Sequence, residues 1–353
     1  MPLVPNLLER IVLLRLNRGP GLLLDLVGAA GTRAVATALD AGVFEALNGD
    51  PQSVEELAAD RGLDADALAA LLDFLETLGY VEQRGERYAL TALSRRWLTD
   101  AEGSDFGPYL AMWNDLIFPF WDAELGRTLE DGEPSRTIYE WFDEQPARWQ
   151  TAQEGFRAVG EFAAGKLVDA VSVPDDAERL LDVGGGHGSY SVAFCEAHPG
   201  LTATVLDVPD VEAVVAETVA DAGMADRVTF RGGDYTEPSD LGAEFDVALL
   251  CNVIHAHDAA ETRALFEGAR GALVDGGRIV VLDQFAGAAR TRTMKAALQF
   301  IRLNYVTTLG GTVHDLDDVR KWLTAAGFVD VESKSAGPGT TALVATAAGT
   351  GSR

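Results

Sequence analysis

The stretch Leu180-Leu181-Asp182-Val183-Gly184-Gly185-Gly186-His187-Gly188-Ser189 holds the densest chemistry in this 353-residue chain. An apolar run ends in an acid, a crowded glycine turn follows, and Tyr190 to His198 reads as a helix. Strand, tight turn and helix in that order bring backbone close to a nucleotide-like ligand. Glycine is needed where no side chain can intervene or where φ must be positive. A nicotinamide fingerprint starting at Gly184 needs glycine or alanine at position 189, which is Ser189. The chain instead offers Gly184, Gly186 and Gly188, with Asp182 two residues ahead of the first. Two more acids follow apolar runs. Thr204-Val205-Leu206-Asp207-Val208-Pro209 is a second strand ending in Asp207, whose carboxylate suits ribose hydroxyls; Val228 to Arg231 is a third, followed by Gly232-Gly233-Asp234-Tyr235.

Phe245-Asp246-Val247-Ala248-Leu249-Leu250-Cys251-Asn252-Val253-Ile254-His255 and Gly276-Gly277-Arg278-Ile279-Val280-Val281-Leu282-Asp283 supply a fourth and a fifth apolar run. These pieces, in this order and at βα spacing, resemble the S-adenosylmethionine-dependent small-molecule O-methyltransferases with an N-terminal winged-helix dimerisation domain. The plant caffeate and flavonoid enzymes and the bacterial polyketide enzymes are of this type. The likeness extends to Leu129-Glu130-Asp131-Gly132-Glu133-Pro134 and to Pro146 through Phe156. It implies a Rossmann-like α/β domain with a mostly parallel seven-stranded sheet and an antiparallel C-terminal hairpin, and S-adenosyl-L-methionine as cofactor. The cofactor residues it implies are Asp182, Gly184, Gly186, Gly188, Asp207, Val208, Asp234, Tyr235, Cys251 and Asn252. Asp207 would hold the ribose, Asp234 the adenine amino group, and Tyr235 would pack the ring. His255 is the implied general base and Asp283 its supporting acid. Trp113, Asn114, Phe156, Phe300, Asn304 and His314 are the implied acceptor-binding residues.

That chemistry suits the residue types. Methyl transfer from a sulfonium is an in-line displacement of an already activated carbon, so the protein mainly aligns the reactants. A phenol must lose a proton, and imidazole is the side chain suited to take it near neutrality. Neighbouring parallel strands present their carboxyl ends on one edge, ~4.8 Å apart, so His255 and Asp283 are within reach of each other. His255 as a cap of the following helix is the plainer alternative. Asp258 is placed to cap the helix Ala259 to Ala272, His257 stands where many relatives carry an aromatic, and His187 shapes the glycine turn. Two departures stand out. Cys251 replaces the lysine of many plant relatives, and Val313 in Gly310-Gly311-Thr312-Val313-His314-Asp315 replaces the second family glutamate, with His314 beside it. Two rival functions follow: a cofactor-binding relative that catalyses hydroxylation or decarboxylation, and a non-enzymatic dimeric regulator.

Charge narrows the partners. The chain carries 55 acids against 28 bases, a net charge of −27, with acids along its whole length. Its lysines are Lys166, Lys295, Lys321 and Lys334 alone. Such a surface repels nucleic acid and anionic membrane, and its self-repulsion is screened by salt, which suits a salt-rich cytoplasm. Cys195 and Cys251 fall in apolar elements and are expected as free thiols. Glu9, Arg10, Arg15 and Arg18 interrupt the N-terminal apolar patches, so neither a signal peptide nor a membrane span is expected.

Three regions should position the site. Residues 1–100 read as a mainly helical winged helix. Ser53-Val54-Glu55-Glu56 is a capping-box pattern opening a helix Val54 to Ala59, Gly62 turns the chain, and Asp64 starts a helix Ala65 to Leu78. Tyr80 to Gln83 and Tyr88 to Thr91 flank Arg84-Gly85-Glu86 as a wing. The second helix has Asp64, Asp66, Asp73 and Glu76 and no base, so it lacks what phosphate contact requires. It therefore reads as a dimerisation module, giving a homodimer without nucleic acid or integral membrane contact. Residues 101–170 form an aromatic-rich helical bridge suited to a flat apolar acceptor; within it, Asn114 and Asp115 either orient that acceptor or satisfy a turn. Residues 171–353 form the catalytic domain, closing with antiparallel strands at Val329 to Ser333 and Thr341 to Thr346. The function expected is methylation of a hydroxyl on a small, flat, largely apolar acceptor: phenolic, quinone, polyketide or carotenoid-like.

Overall fold

The computed structural model describes residues 6–349 apart from 17, 19, 20, 103, 104, 338 and 339; the side chain of Leu14 is also outside the described set. The chain divides into two compact units. One comprises Met1–Pro119 with Gln150–Ala158, the other Phe120–Trp149 with Val159–Arg353. The segment expected as a separate bridge, 101–170, is thus shared between them.

In the first unit, helices Val54–Arg61 and Ala65–Thr77 precede strands β1 (Val81–Arg84) and β2 (Arg87–Leu90), which pair antiparallel. Local chemistry sets each boundary. Ser53 accepts from Glu56 N while the Glu56 side chain accepts from Ser53 N, closing the capping box. Gly62 ends that helix at φ 67°, and Asp64 caps the next through Ala67 N. Leu68, Leu72 and Leu75, at helical spacing, pack with Phe44, Leu57, Val81 and Leu90 into the core of this unit. Helix Leu22–Asp40 is the one element among the described residues long and apolar enough to cross a membrane. Here its Val35 and Ala38 belong to that same core, and Arg33 Nη1 donates to the Asn114 carbonyl at 2.9 Å. The N-terminal half differs: Leu22, Leu23 and Leu26 are exposed, as are Leu7, Leu8 and Leu16 just before it.

The second unit is built on a seven-stranded sheet: β3 (Arg179–Val183), β4 (Thr202–Asp207), β5 (Val228–Gly232), β6 (Phe245–Cys251), β7 (Leu273–Asp283), β8 (Phe328–Ser335) and β9 (Thr341–Ala347). Their order across the sheet is β5-β4-β3-β6-β7-β9-β8. β3 to β7 run parallel, while β9 lies antiparallel to both β7 and β8. The parallel strands read as near-continuous apolar runs because both faces are covered: Val247 and Leu249 of β6 pack in one layer, Ala248 and Leu250 in the other. The direction of progression across the sheet reverses between β3 and β6, and a crevice at such a switch point is where open α/β sheets hold ligands.

Candidate active site

The glycine turn leaves β3 at this switch point. Gly184, Gly186 and Gly188 adopt φ of 63°, 50° and 77°, which strain any side chain-bearing residue. The inner positions are pinned by packing. A Cβ on Gly184 would lie 2.9 Å from Val253, and one on Gly185 2.7 Å from Asp182. A Cβ on Gly186 would meet no protein atom within 4 Å. The turn is therefore held from behind and open at Gly186, as a backbone cradle for a ligand must be. Gly160, on helix Pro146–Ala170, makes room for His187, whose Cε1 would lie 2.1 Å from a Cβ there. His187 Nδ1 in turn accepts from Ser189 N, tying the turn to the first residue of helix Ser189–Ala197.

Three acids follow the strands around the turn, two of them buried. Asp182 is fully enclosed behind it; Ser191 Oγ donates to its Oδ2, while Oδ1 has no hydrogen-bond partner. Burial pushes its carboxyl up to about 7, against the Ser191 hydrogen bond and helped by the charge of Asp207. Asp207, at the end of β4, accepts from Gly186 N at 2.8 Å and from Val208 N at 2.7 Å. Burial raises it too, opposed by those two amides. Val208 beside it is exposed. Past β5, Asp234 is exposed and held below the usual carboxylate range by the hydroxyl and amide of Thr236. Tyr235 is half-buried, edge-on to His257 at 5.7 Å.

β6 and β7 deliver the pair. Cys251 is paired with Leu282 in the ladder and enclosed, so burial pushes its thiol well up. Asn252 then takes φ 57°, a left-handed conformation that asparagine tolerates better than most residues. Its N–H donates to Leu282 O at 2.7 Å. This bend swings the chain into a short 3₁₀ turn, Ile254–Ala256, so His255 lies beyond the strand end where the sequence had placed it. Its Nδ1 is 3.1 Å from both carboxylate oxygens of Asp283, the last residue of β7, and its N–H reaches Oδ2 at 3.3 Å. An ionised carboxylate only accepts, so Nδ1 carries the proton and Nε2 presents a lone pair. Among the described residues, no protein group bonds Nε2.

Residues that the sequence did not single out complete this arrangement. The ring of Tyr305 lies flat on the imidazole of His255, centroids 3.8 Å apart and planes 4° from parallel. Tyr305 Oη donates to Gln284 Oε1, Gln284 Nε2 donates to Asn252 Oδ1 at 3.3 Å, and Asn252 Nδ2 donates to Tyr190 Oη at 3.1 Å. The members lie on two helices and just past two strand ends, which is why no local spacing announces them. Phe300 is exposed on the same helix, Arg292–Leu309, with its ring 5.8 Å from Trp121. The Trp121 Nε1–H occupies Asn304 Oδ1 at 3.0 Å.

Two expected acceptor-binding residues are engaged elsewhere. His314 is buried, with Nε2 2.9 Å from Ile254 O and 3.0 Å from His257 O. A nitrogen shared between two carbonyls must be a donor, so His314 clasps the His255 turn from behind and does not stand in for the acid missing at Val313. Asn114 accepts from Arg33 at 2.5 Å through Oδ1 and donates to Asp115 at 2.6 Å. It anchors the Trp113–Ile117 π-helical turn rather than pointing polar atoms at an acceptor. Trp113, in that turn, is buried edge-on to Tyr109, and Phe156 is half-buried on helix Pro146–Ala170. His198 is half-buried against Phe194. No group of three or more His, Cys, Asp or Glu among the described residues is arranged to hold a metal.

Comparison with known proteins gives the arrangement its context. A family model described as the O-methyltransferase domain matches residues 126–329, and one described as the O-methyltransferase dimerisation domain matches residues 26–100. The chain is 28% identical to the 3-hydroxy-5-methyl-1-naphthoate 3-O-methyltransferase of Streptomyces sahachiroi, over 92% of this chain and 94% of that one. It is 29% identical to the tetracenomycin polyketide synthesis 8-O-methyl transferase TcmO of Streptomyces glaucescens, over 92% and 96%. Its fold matches human N-acetylserotonin methyltransferase, solved with S-adenosylmethionine, at a TM-score of 0.81, with 21% identity over 99% of this chain and 100% of that one. The open left-handed Gly186 and the acid at the end of β4 fit that cofactor, and the chain belongs to the O-methyltransferase family as an S-adenosylmethionine-dependent enzyme with an N-terminal dimerisation domain.

Proposed function

We propose that this enzyme methylates a hydroxyl of a small, flat, largely apolar aromatic acceptor, a phenol, hydroxynaphthoate or aromatic polyketide, with His255 as general base. The observation that carries this reading is the His255–Asp283 pair, with Nδ1 held at 3.1 Å from both carboxylate oxygens. Asp283 fixes the tautomer that leaves Nε2 basic and offsets the positive charge that forms when Nε2 takes the acceptor's proton. The bound cofactor supplies a methyl carbon already activated by its sulfonium. Nε2 would take the proton of the acceptor hydroxyl and leave its oxygen as the nucleophile for that carbon. Asp207 would receive the ribose hydroxyls, Asp234 and Tyr235 would flank the adenine, and Phe300 and Trp121 would offer apolar surface to the acceptor ring. What the naphthoate and tetracenomycin relatives are named for supports a fused aromatic acceptor. The dimerisation domain and the exposed leucines before it support a homodimer.

The test uses labelled S-adenosylmethionine with a panel of phenols, hydroxynaphthoates and quinols. His255→Ala should lower kcat by roughly 10²–10⁴-fold and leave cofactor affinity nearly unchanged. Raising the pH should partly restore a phenolic acceptor, because it then ionises unaided. A variant at the wild-type rate would place the base elsewhere.

A further inference from the structure

We infer that Tyr305 is a positioning residue for the reaction, holding the imidazole of His255 by its ring face and stabilising the charge it acquires. The inference rests on His255 being the base. Three observations support it. The first is the stack itself, close and nearly parallel, with centroids 3.8 Å apart and planes 4° from parallel. A neutral imidazole gains only an ordinary stacking contact from such a neighbour. A ring that carries positive charge is instead drawn to the electron-rich face of a phenol. The stack is thus weakly favoured while His255 is neutral and strengthened as Nε2 takes a proton, which is the requirement for an interaction to lower a barrier rather than merely tighten binding.

The second observation is that the tyrosine ring is held in place. Its hydroxyl donates to Gln284, and the amides of Gln284 and Asn252 pass the contact on to Tyr190. Donor and acceptor alternate along this chain, so each amide has one orientation that serves it. Gln284 directly follows Asp283, and its N–H donates to Asp283 Oδ1 at 2.8 Å. The residue that anchors the tyrosine therefore also steadies the carboxylate.

The third is the backbone behind the stack. The Tyr305 carbonyl accepts from Gly311 N at 3.2 Å, and one residue later Thr312 N donates to His255 O at 2.9 Å. The end of helix Arg292–Leu309 thus grips the base twice, by ring on ring and by amide on carbonyl. With Asp283 at Nδ1 and Tyr305 on one face, the imidazole keeps Nε2 as its remaining polar atom for the acceptor.

The experiment compares Tyr305→Leu, which removes the ring, with Tyr305→Phe, which keeps the ring face and loses the hydroxyl. The acceptor is whichever member of a phenol and hydroxynaphthoate panel turns over fastest. Tyr305→Leu should lower kcat by roughly 3- to 30-fold, the scale of a cation–π contact, with KM and cofactor affinity changed by less than about twofold. Tyr305→Phe should recover most of the rate. Proton NMR of the histidine rings gives a readout independent of turnover: the His255 ring protons should be shifted upfield in wild type and in Tyr305→Phe, but not in Tyr305→Leu. Wild-type kcat in Tyr305→Leu, equal losses in both variants, a fall in cofactor affinity matching the fall in kcat, or an unshifted His255 signal in wild type would each overturn the inference. His255→Ala separates the two levels. If it retains wild-type turnover, the base assignment fails and takes this inference with it. If it is crippled while Tyr305→Leu is not, only the role of Tyr305 fails.

Discussion

At the scale of single residues, the site depends on acids whose surroundings set them apart. Asp207 receives two backbone amides and remains the acid nearest the open glycine. Asp207→Ala should weaken S-adenosylmethionine binding by about 1–3 kcal/mol, the cost of stranding hydrogen-bonding groups; unchanged affinity by calorimetry would remove Asp207 from the cofactor site. Asp182 behaves differently because it is sealed behind the turn with one oxygen unpartnered. Its folded-state value of about 7 lies above the ~3.9 of an unfolded chain. Between these limits the folded protein keeps a proton that the unfolded chain has released. The stability from this group is therefore complete below pH ~4 and is lost as pH rises towards 7. Asp182→Asn cannot ionise, so its melting temperature should fall less between pH 5 and pH 8 than that of the wild type. Equal falls in the two proteins would show that Asp182 does not carry this dependence.

Among the elements, the 3₁₀ turn carrying His255 is the decisive one, and it is supported from outside its own sequence. Thr312 N donates to the His255 carbonyl, and His314 donates to the carbonyls of Ile254 and His257. Gly311 makes that approach possible, since a Cβ there would sit 2.1 Å from His255 O. Backbone cannot yield as a flexible side chain can. Gly311→Ala should displace the base and lower kcat by roughly tenfold or more, as small misplacements do, with cofactor affinity retained. Equal kcat in the variant would mean that the turn absorbs the methyl group without moving the imidazole. The Gly-Gly pair was visible in the sequence as a family landmark, but its purpose was not. A glycine 56 positions beyond a histidine carries no local sign that the two backbones touch.

For the whole molecule, the relevant features are an apolar N-terminal surface and a uniformly acidic one. Leu7, Leu8, Leu16, Leu22, Leu23 and Leu26 are exposed, and large apolar side chains left in water so close together in sequence point to an association surface. Light scattering in molar salt should give about twice the 37.6 kDa chain mass. A monomer would argue against self-association through this region. The net charge of −27 should also make stability fall as salt is withdrawn, because repulsion between exposed acids is no longer screened. A melting temperature unchanged from molar to millimolar salt would count against adaptation to a salt-rich cytoplasm.

Much of this architecture was legible in the chain alone because its signals are local. The Ser53–Glu56 box, the Asp258 cap on helix Ala259–Ala272, the left-handed glycines and the doubly buried strands each state their conformation within a few residues. Strand order and the proximity of His255 to Asp283 followed from the resemblance and from the rule that parallel strands share a carboxyl edge. The tertiary structure decided which polar atoms are already taken. His314 and Asn114 looked available because a sequence shows a residue's chemistry but not the groups it already bonds; folding commits one to the His255 turn and the other to Arg33. Tyr305, Gln284 and Tyr190 looked ordinary for the converse reason. Their alignment with the base depends on the register of a helix against two strand ends, and that is fixed by packing between segments far apart in the chain rather than by any spacing within one of them.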